Sequence, residues 1–421
     1  MEPTTPTDVA YVLNRGERAG FDTRQHLAKA RQQAVARGFD ELLIVDVDAH
    51  HYENESWPEI VEYIEDPVLR DTARIGAGGS TGGVGNPLVY SAPRQQNVAG
   101  RIRRYQLRGS EQVGEAVQRD AAVALREMDS IGIDYQIVFP TPMLELGMHP
   151  DPDIEVALSW AYSRWFVEQV LPADPRIKTM VYLPFNDPEA SLRVVEHFAD
   201  KPGVVGFMVT ATRYRAVHEN RYMRLYAALQ ERGKPLGFHA SVYQQERMFE
   251  GMNRFLSVHA LGFVIPNMVH LTNLVINGIP ERFPDLKVIF IESGLAWVPF
   301  LMQRLDNEFL MRTSEAPLLR KRPSEYISEN FHYTTQPMET ENREALEFTL
   351  KMINAETQLL FASDYPHWDF NLPSTVWDLP FLTEKAKRRI LGENAAELFG
   401  IDPSSGRAVS GPASGPIRGS T

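Results

Sequence analysis

Residues 42–50 read Leu42-Leu43-Ile44-Val45-Asp46-Val47-Asp48-Ala49-His50. An apolar run of this kind reads as a buried strand, and it turns polar at its C-terminal end. Side chains along a strand alternate, so Asp46, Asp48 and His50 share one face. Seven further short apolar runs follow, at 135–140, 179–184, 204–210, 235–241, 288–293, 331–335 and 359–364. Helical patterns separate many of them, at 117–131, 152–170, 187–198, 220–232, 296–311 and 340–353. Strands that alternate with helices require right-handed crossovers and a parallel sheet. Eight such repeats fit a closed α/β barrel, (β/α)8, better than an open doubly wound sheet.

Around that barrel, expected over residues 42–402, the chain divides simply. Residues 1–41 form an N-terminal helical extension, with a helix pattern at 23–37 that stops at Gly38. The longest departure from the repeat is the insertion 52–118, which leaves the C-terminal face of the first strand and suits a lid or a subunit-contact arm. Its glycine-rich stretch 76–85 lacks the strand–helix frame and the Gly-Lys-Ser/Thr of a nucleotide loop. The tail 403–421 is rich in Ser, Gly and Pro and is expected to be disordered.

The 421 residues contain no cysteine. Disulfides, zinc–thiolate sites, iron–sulfur clusters and a cysteine nucleophile are excluded, so any metal must be held by His, Asp and Glu. Lys and Arg total 43 against 55 Asp and Glu, for a formal net charge of −12, which argues against nonspecific nucleic-acid binding. No run of about 18 apolar residues is found, so no membrane span is expected. The polar start, residues 1–8, resembles neither a signal nor a transit peptide, and the default location is the cytoplasm.

The strand ends carry the chemistry. The fifth run ends Phe238-His239-Ala240, the sixth Ile291-Glu292-Ser293, and the eighth Ser363-Asp364-Tyr365-Pro366-His367. With Asp48 and His50, four strands bring His, Asp or Glu to one rim, where barrel active sites sit. Oxygen and imidazole ligands without sulfur suit Zn, Mn or Fe. Glu53, His259, His367 and Asp369 lie near these positions as ligands or as their supports. His270, with Asn273 and Asn277 at helical spacing, forms a polar stripe that is either a solvated face or a contribution to the site. Tyr52, Trp57, Phe139, Met143, Tyr182, Trp297 and Tyr365 are available as apolar walls or as core. Arg103 and Arg104, in the basic cluster 101–108, offer a phosphate contact for a substrate such as a coenzyme A thioester, or a solvated face.

Asp48-x-His50, His239 and Asp364 together resemble the metal set of the amidohydrolase-related superfamily, in the branch typified by aminocarboxymuconate-semialdehyde decarboxylase. The stretch 278–294, the Trp297 that follows it and Asn394-Ala395-Ala396 add to the resemblance, which covers roughly 42–402. It implies a distorted TIM barrel, in agreement with the strand count. Barrels of this family often form dimers, which implies a homodimer or pairing with a related subunit. Two positions depart from the decarboxylase pattern. Strand one carries Asp-x-His in place of His-x-His or Glu-x-His, and Glu292 stands where the decarboxylases carry an acid/base histidine.

A carboxylate can bridge two cations, so Glu292 and the surplus of ligands favour a dinuclear centre. Within the superfamily this resembles the dinuclear oxygenases, which implies, as the leading expectation, a nonhaem dinuclear iron, or Mn/Fe, monooxygenase that hydroxylates an aliphatic C–H bond. Asp48, His50, His239, His270, Glu292 and Asp364 would hold the ions, Glu292 and Asp364 would serve catalysis, and Tyr52, Trp297, Arg103 and Arg104 would bind a small-molecule or CoA-linked substrate beside dioxygen. The alternatives are a mononuclear Zn or Mn hydrolase or nonoxidative decarboxylase, and a noncatalytic partner subunit.

Overall fold

The computed structural model describes residues 23–53, 56–77, 118–210, 215–241, 247–249, 251–367 and 369–403. Eight parallel strands follow one another around a single sheet in the order β1 to β8. They are β1 Val45–His50, β2 Tyr135–Phe139, β3 Ile177–Tyr182, β4 Val204–Thr210, β5 Leu236–His239, β6 Val288–Ile291, β7 Phe331–Thr334 and β8 Leu359–Leu360. Helices cover the outside, so both faces of each strand are buried and the strands read as near-continuous apolar runs.

The ring closes through residues beyond the formal end of β8. Val47 N donates to Phe361 O at 2.9 Å, Asp364 N to Asp48 O at 2.7 Å and His50 N to Tyr365 O at 2.8 Å. The eighth apolar run is therefore much longer than its ladder. Past Leu360 the chain turns as it meets β1, and Asp364 adopts a left-handed φ of 58°. β1 itself is irregular: its register against β2 slips between Asp46 and Ala49. Bulges of this kind cluster beside active sites, where they re-aim side chains.

Two small residues let the barrel interior fill. A Cβ at Gly206 would meet Met180 Cε at 2.8 Å, and one at Gly237 would meet Ile291 Cδ1 at 2.9 Å, so both glycines make room for these larger side chains. Outside the barrel, helix 152–170 of the sequence reading proves to be an α-helix, Pro152–Trp165, that loosens into a π turn at Phe166–Val170. The helix Thr23–Arg37 packs on Arg119–Ile131, and Arg37 pairs with Asp378 at 2.6 Å.

One stretch, Leu256–Ile276, is long and apolar enough to cross a membrane, contrary to the expectation from the sequence. It is broken at Phe263 and Val264 into Phe255–Gly262 and Ile265–Ile276. The second helix buries His270, Leu271 and Leu274 and supplies the crossover between β5 and β6. Its apolar character is that of a barrel helix packed on the sheet. The glycine-rich stretch beyond Ala77, the arginine cluster and the tail beyond Pro403 lie outside the described residues.

The π turn Arg389–Glu393 runs beneath the approach to β1, and a Cβ at Gly392 would fall on the Leu43 carbonyl oxygen. The obstacle is backbone and cannot swing aside. Gly392→Ala is expected to destabilise the chain by about 2–3 kcal/mol. Thermal and denaturant unfolding of the variant against the parent measures this, and an unchanged midpoint would contradict it.

Candidate metal centre

The site lies at the C-terminal mouth of the barrel. β1 supplies Asp48 and His50, β5 supplies His239, the turn after β6 supplies Glu292, and the turn after β8 supplies Asp364 and His367. All six side chains are buried. Glu292 and Asp364 both sit at left-handed φ, 56° and 58°. For residues with a Cβ this conformation costs about 1–3 kcal/mol and persists where the surroundings over-determine it. In both cases it breaks strand alternation at the rim and turns a carboxylate toward the barrel axis.

The ligand atoms form two overlapping groups, one of Asp48, His50, His239 and Glu292 and one of His50, Glu292, Asp364 and His367, and within each group they lie within 4.8 Å of one another. Asp48 Oδ1 lies 3.2 Å from His50 Nε2 and 3.1 Å from His239 Nε2. Asp364 Oδ1 lies 3.3 Å from His50 Nε2. Ligands on one tetrahedral ion, at bonds of ~2.1 Å, stand about 3.4 Å apart. Both imidazoles are oriented for this by their far nitrogens: His50 Nδ1 donates to Pro140 O at 3.0 Å and His239 Nδ1 to Ala240 O at 2.8 Å. Each Nε2 is thereby free of the proton a ligand must lack. Asp48 Oδ2 and His50 Nε2 have no hydrogen-bond partner among the described residues, an arrangement that a cation would satisfy. The donor set therefore fits a metal ion.

Glu292 belongs to both groups and His367 to the second. Glu292 Oε2 is 3.8 Å from His239 Nδ1 and its Oε1 is 4.0 Å from His367 Nδ1. His367 Nδ1 touches Asp364 Oδ1 at 2.6 Å, and its ring stacks on His50 with centroids 4.2 Å apart. The electrostatics suit a cation. Burial pushes the Asp48 carboxyl up, but His239 and His50 outweigh burial and hold it below the usual carboxylate range. Burial pushes His50 down, and Asp48 and Asp364 reverse that and raise it well above the usual histidine value. The attraction that draws a proton to His50 is equally available to a divalent ion.

The structure does not bring His270 to this cluster. Its ring lies against Phe238, centroids 5.2 Å apart, and strand alternation points Phe238 away from the face that carries His239. Trp297 packs edge-on against Phe290, and its indole donates to Ser293 O at 2.8 Å, which places it in the layer between sheet and helices. Tyr52 is buried in the segment that leaves β1. Arg103 and Arg104 lie outside the described residues. Glu53 is a support: it accepts Thr141 N at 2.9 Å and Met143 N at 2.6 Å, pinning the turn whose Pro140 carbonyl receives His50. His259 and Asp369 face each other at 3.8 Å.

The sequence reading missed a second buried network beside the first. His51 Nδ1 meets Asp120 at 3.0 Å, His51 Nε2 meets the Tyr162 hydroxyl at 2.8 Å, and Ser56 Oγ also donates to Asp120. The available signal was the doubled histidine, since alternation turns His51 away from His50. The network joins the chain leaving β1 to the helix Arg119–Ile131.

The sequence pattern of the Amidohydrolase family matches residues 22–401, and the chain belongs to that family. Among curated relatives, a gamma-resorcylate decarboxylase of Polaromonas sp. strain JS666 is 24% identical over 253 residues, covering 56% of this chain and 74% of that protein. A 2-amino-3-carboxymuconate-6-semialdehyde decarboxylase of Dictyostelium discoideum is 21% identical over 291 residues, covering 68% and 78%. Among solved structures, 5-carboxyvanillate decarboxylase of Sphingomonas paucimobilis superposes with a TM-score of 0.61 at 22% identity, covering 86% of this chain and all, 100%, of the other. An amidohydrolase of Mycobacterium avium subsp. paratuberculosis gives 0.65 at 20% identity, covering 85% and 99%.

These relatives correct the expected function. The dinuclear iron monooxygenase, with its oxidoreductase chemistry, is overturned: the named relatives are decarboxylases. The physical reason for the error is Glu292. It was taken as a bridge between two ions, but a carboxylate shared by two overlapping ligand groups does not require a second ion.

Asp120 provides a pH test of the supporting network. Burial alone would raise its carboxyl, but the His51, Ser56 and Gln118 interactions bring it down to about 2. A folded value below the unfolded one stabilises at pH above about 4 and is lost as pH falls from about 4 to about 2. Asp120→Asn is expected to lower stability at pH 7 by roughly 2 kcal/mol and to flatten the acid limb in that window. Urea unfolding at pH 7, 4 and 3 checks it; parallel curves for parent and variant would refute the assignment.

Proposed function

We propose that this chain is a nonoxidative decarboxylase with one divalent ion, manganese or zinc, held by Asp48, His50, His239 and Asp364. The carrying observation is the chain of 3.1–3.3 Å approaches from His239 to Asp48, Asp48 to His50 and His50 to Asp364, with the carboxylate of Glu292 within 4.8 Å of these groups. The relatives support the reaction, and so do manganese-bound structures such as the dihydroxybenzoic acid decarboxylase of Polaromonas with 2-nitroresorcinol. The substrate class that suits this reading is a small aromatic or conjugated carboxylate.

When bound, the ion supplies positive charge that anchors and polarises the oxygen atoms of such a substrate. The chain must then deliver one proton to the carbon that bears the carboxylate. Glu292 is placed for this: it is buried at the rim, near His239 and His367, and is not one of the four ligand atoms. Its carboxylic acid donates the proton, a C–H bond forms, and the C–C bond to the carboxylate breaks. The electron pair of the broken bond returns to the ring, and carbon dioxide leaves. In sum, R–CO2⁻ and H⁺ give R–H and CO2, with no oxidant consumed. Glu292 is left as a carboxylate and regains its proton from solvent. The surrounding burial excludes water while charge builds on the ring.

The test uses protein loaded with Mn²⁺ or Zn²⁺ and a panel of hydroxylated benzoates, 2,6-dihydroxybenzoate and 5-carboxyvanillate among them. Carbon dioxide should appear in step with substrate loss, at equal rates with and without oxygen, with one ion per chain by elemental analysis. Glu292→Gln should lower kcat by about 10²–10⁴-fold and keep its metal. Oxygen uptake coupled to product, or substrate loss without carbon dioxide, would sink the reading.

A further inference from the structure

Asp46 is buried in the barrel one layer below the ligands and takes no part in the quartet. Its carboxylate gathers donors from three strands. Ser363 N reaches Asp46 Oδ1 at 2.8 Å, Ser363 Oγ reaches Oδ2 at 2.6 Å, Gln136 Nε2 reaches Oδ2 at 3.3 Å and Asp48 N reaches Oδ1 at 3.2 Å. The Ser363 hydroxyl then accepts Tyr365 N at 3.0 Å. Ser363 and Tyr365 are the residues on either side of Asp364, whose φ is 58°. The one residue in this segment with strained backbone is thus bracketed by contacts that lead to Asp46.

We propose that Asp46 is a positioning residue for the ligand Asp364, clamping through Ser363 the left-handed turn that aims the Asp364 carboxylate at the ion. A carboxylate suits the task because it only accepts. Two bonds to Ser363 fix both the position and the rotation of that residue, and its hydroxyl proton is committed to Asp46, leaving the oxygen to receive Tyr365 N. An amide at position 46 would turn an NH2 toward at least one of these donors. The strained left-handed backbone at Asp364 then has room to relax. The contacts through Ser363 bear on Asp364, Asp46 also accepts Asp48 N at 3.2 Å, and His239, held by the Ala240 carbonyl, is untouched.

This inference rests on the reading that the quartet binds a divalent ion, and the experiment separates the two. Mn²⁺ affinity is measured by chelator competition, and the visible spectrum of the Co²⁺-loaded chain is recorded. The variants are Asp46→Asn in the parent, and Ser363→Ala in the parent and in an Asp364→Ala background. A parent that binds no Mn²⁺ refutes the metal site itself. If the parent binds, Asp46→Asn and Ser363→Ala should each weaken binding about 10–100-fold and shift the Co²⁺ bands. In the Asp364→Ala background Ser363→Ala should alter affinity less than about twofold, because the ligand it positions is gone. Equal losses from Ser363→Ala in both backgrounds, or no loss in the parent, would overturn the proposal. Ser363→Ala keeps the backbone contact to Asp46, so it reports alone if Asp46→Asn does not fold.

Discussion

Three carboxylates and three imidazoles, those of Asp48, Glu292, Asp364, His50, His239 and His367, are taken out of water into one pocket at the barrel mouth. Burying a carboxylate without compensation costs several kcal/mol, and here the nearest compensation is another ionisable group. The arrangement is coherent only with positive charge among the acids. Against burial, His239 and His50 hold Asp48 low, and Asp48 and Asp364 drive His50 high. A divalent ion supplies the same charge at one point and leaves the imidazoles neutral. The bulge in β1, the left-handed turns and the outer hydrogen bonds all serve to hold these groups against their mutual preference to separate.

The barrel turns that requirement into geometry. Parallel strands place every C-terminal end on one rim, so residues far apart in sequence converge without any local motif. The strands alone do not finish the site, because their alternation would carry Glu292 and Asp364 to other directions. Both are re-aimed by left-handed backbone. The hydrogen bonds that hold the turns come from the neighbouring strand: Glu292 N donates to Thr334 Oγ1 at 3.0 Å, and Asp364 N to Asp48 O at 2.7 Å. Barrel closure and ligand placement are therefore one set of interactions, since β8 reaches β1 through the very residues that carry Asp364.

This explains which parts were legible in the sequence. Strands buried on both faces show as apolar runs, so all eight could be read, and a polar residue at the end of such a run is conspicuous. Asp48, His50, His239, Glu292 and Asp364 were visible on that ground. His270 was misleading because helical periodicity reports a polar stripe but not its rotation about the axis, and the ring in fact covers Phe238. Trp297 follows a strand end and looks like a pocket wall, but its packing on Phe290 is decided by strand alternation two residues before the turn. The partners of the two ligand imidazoles are backbone carbonyls of Pro140 and Ala240, and a carbonyl leaves no mark in a sequence.

The error over the number of ions was a matter of distance, which no residue pattern records. Six candidate ligands in a sequence suggest two sites when each is counted as independent. In space the two possible groupings share His50 and Glu292. An imidazole whose Nδ1 is committed to Pro140 has one nitrogen left and cannot serve two ions. In the proposed arrangement His50 joins Asp48, His239 and Asp364 on one ion, and Glu292 and His367 remain beside them. Those two lie 4.0 Å apart, near enough to exchange a proton through small motion or one water. Under the decarboxylase proposal, Glu292 is the acid beside an ion and not the bridge to a second one.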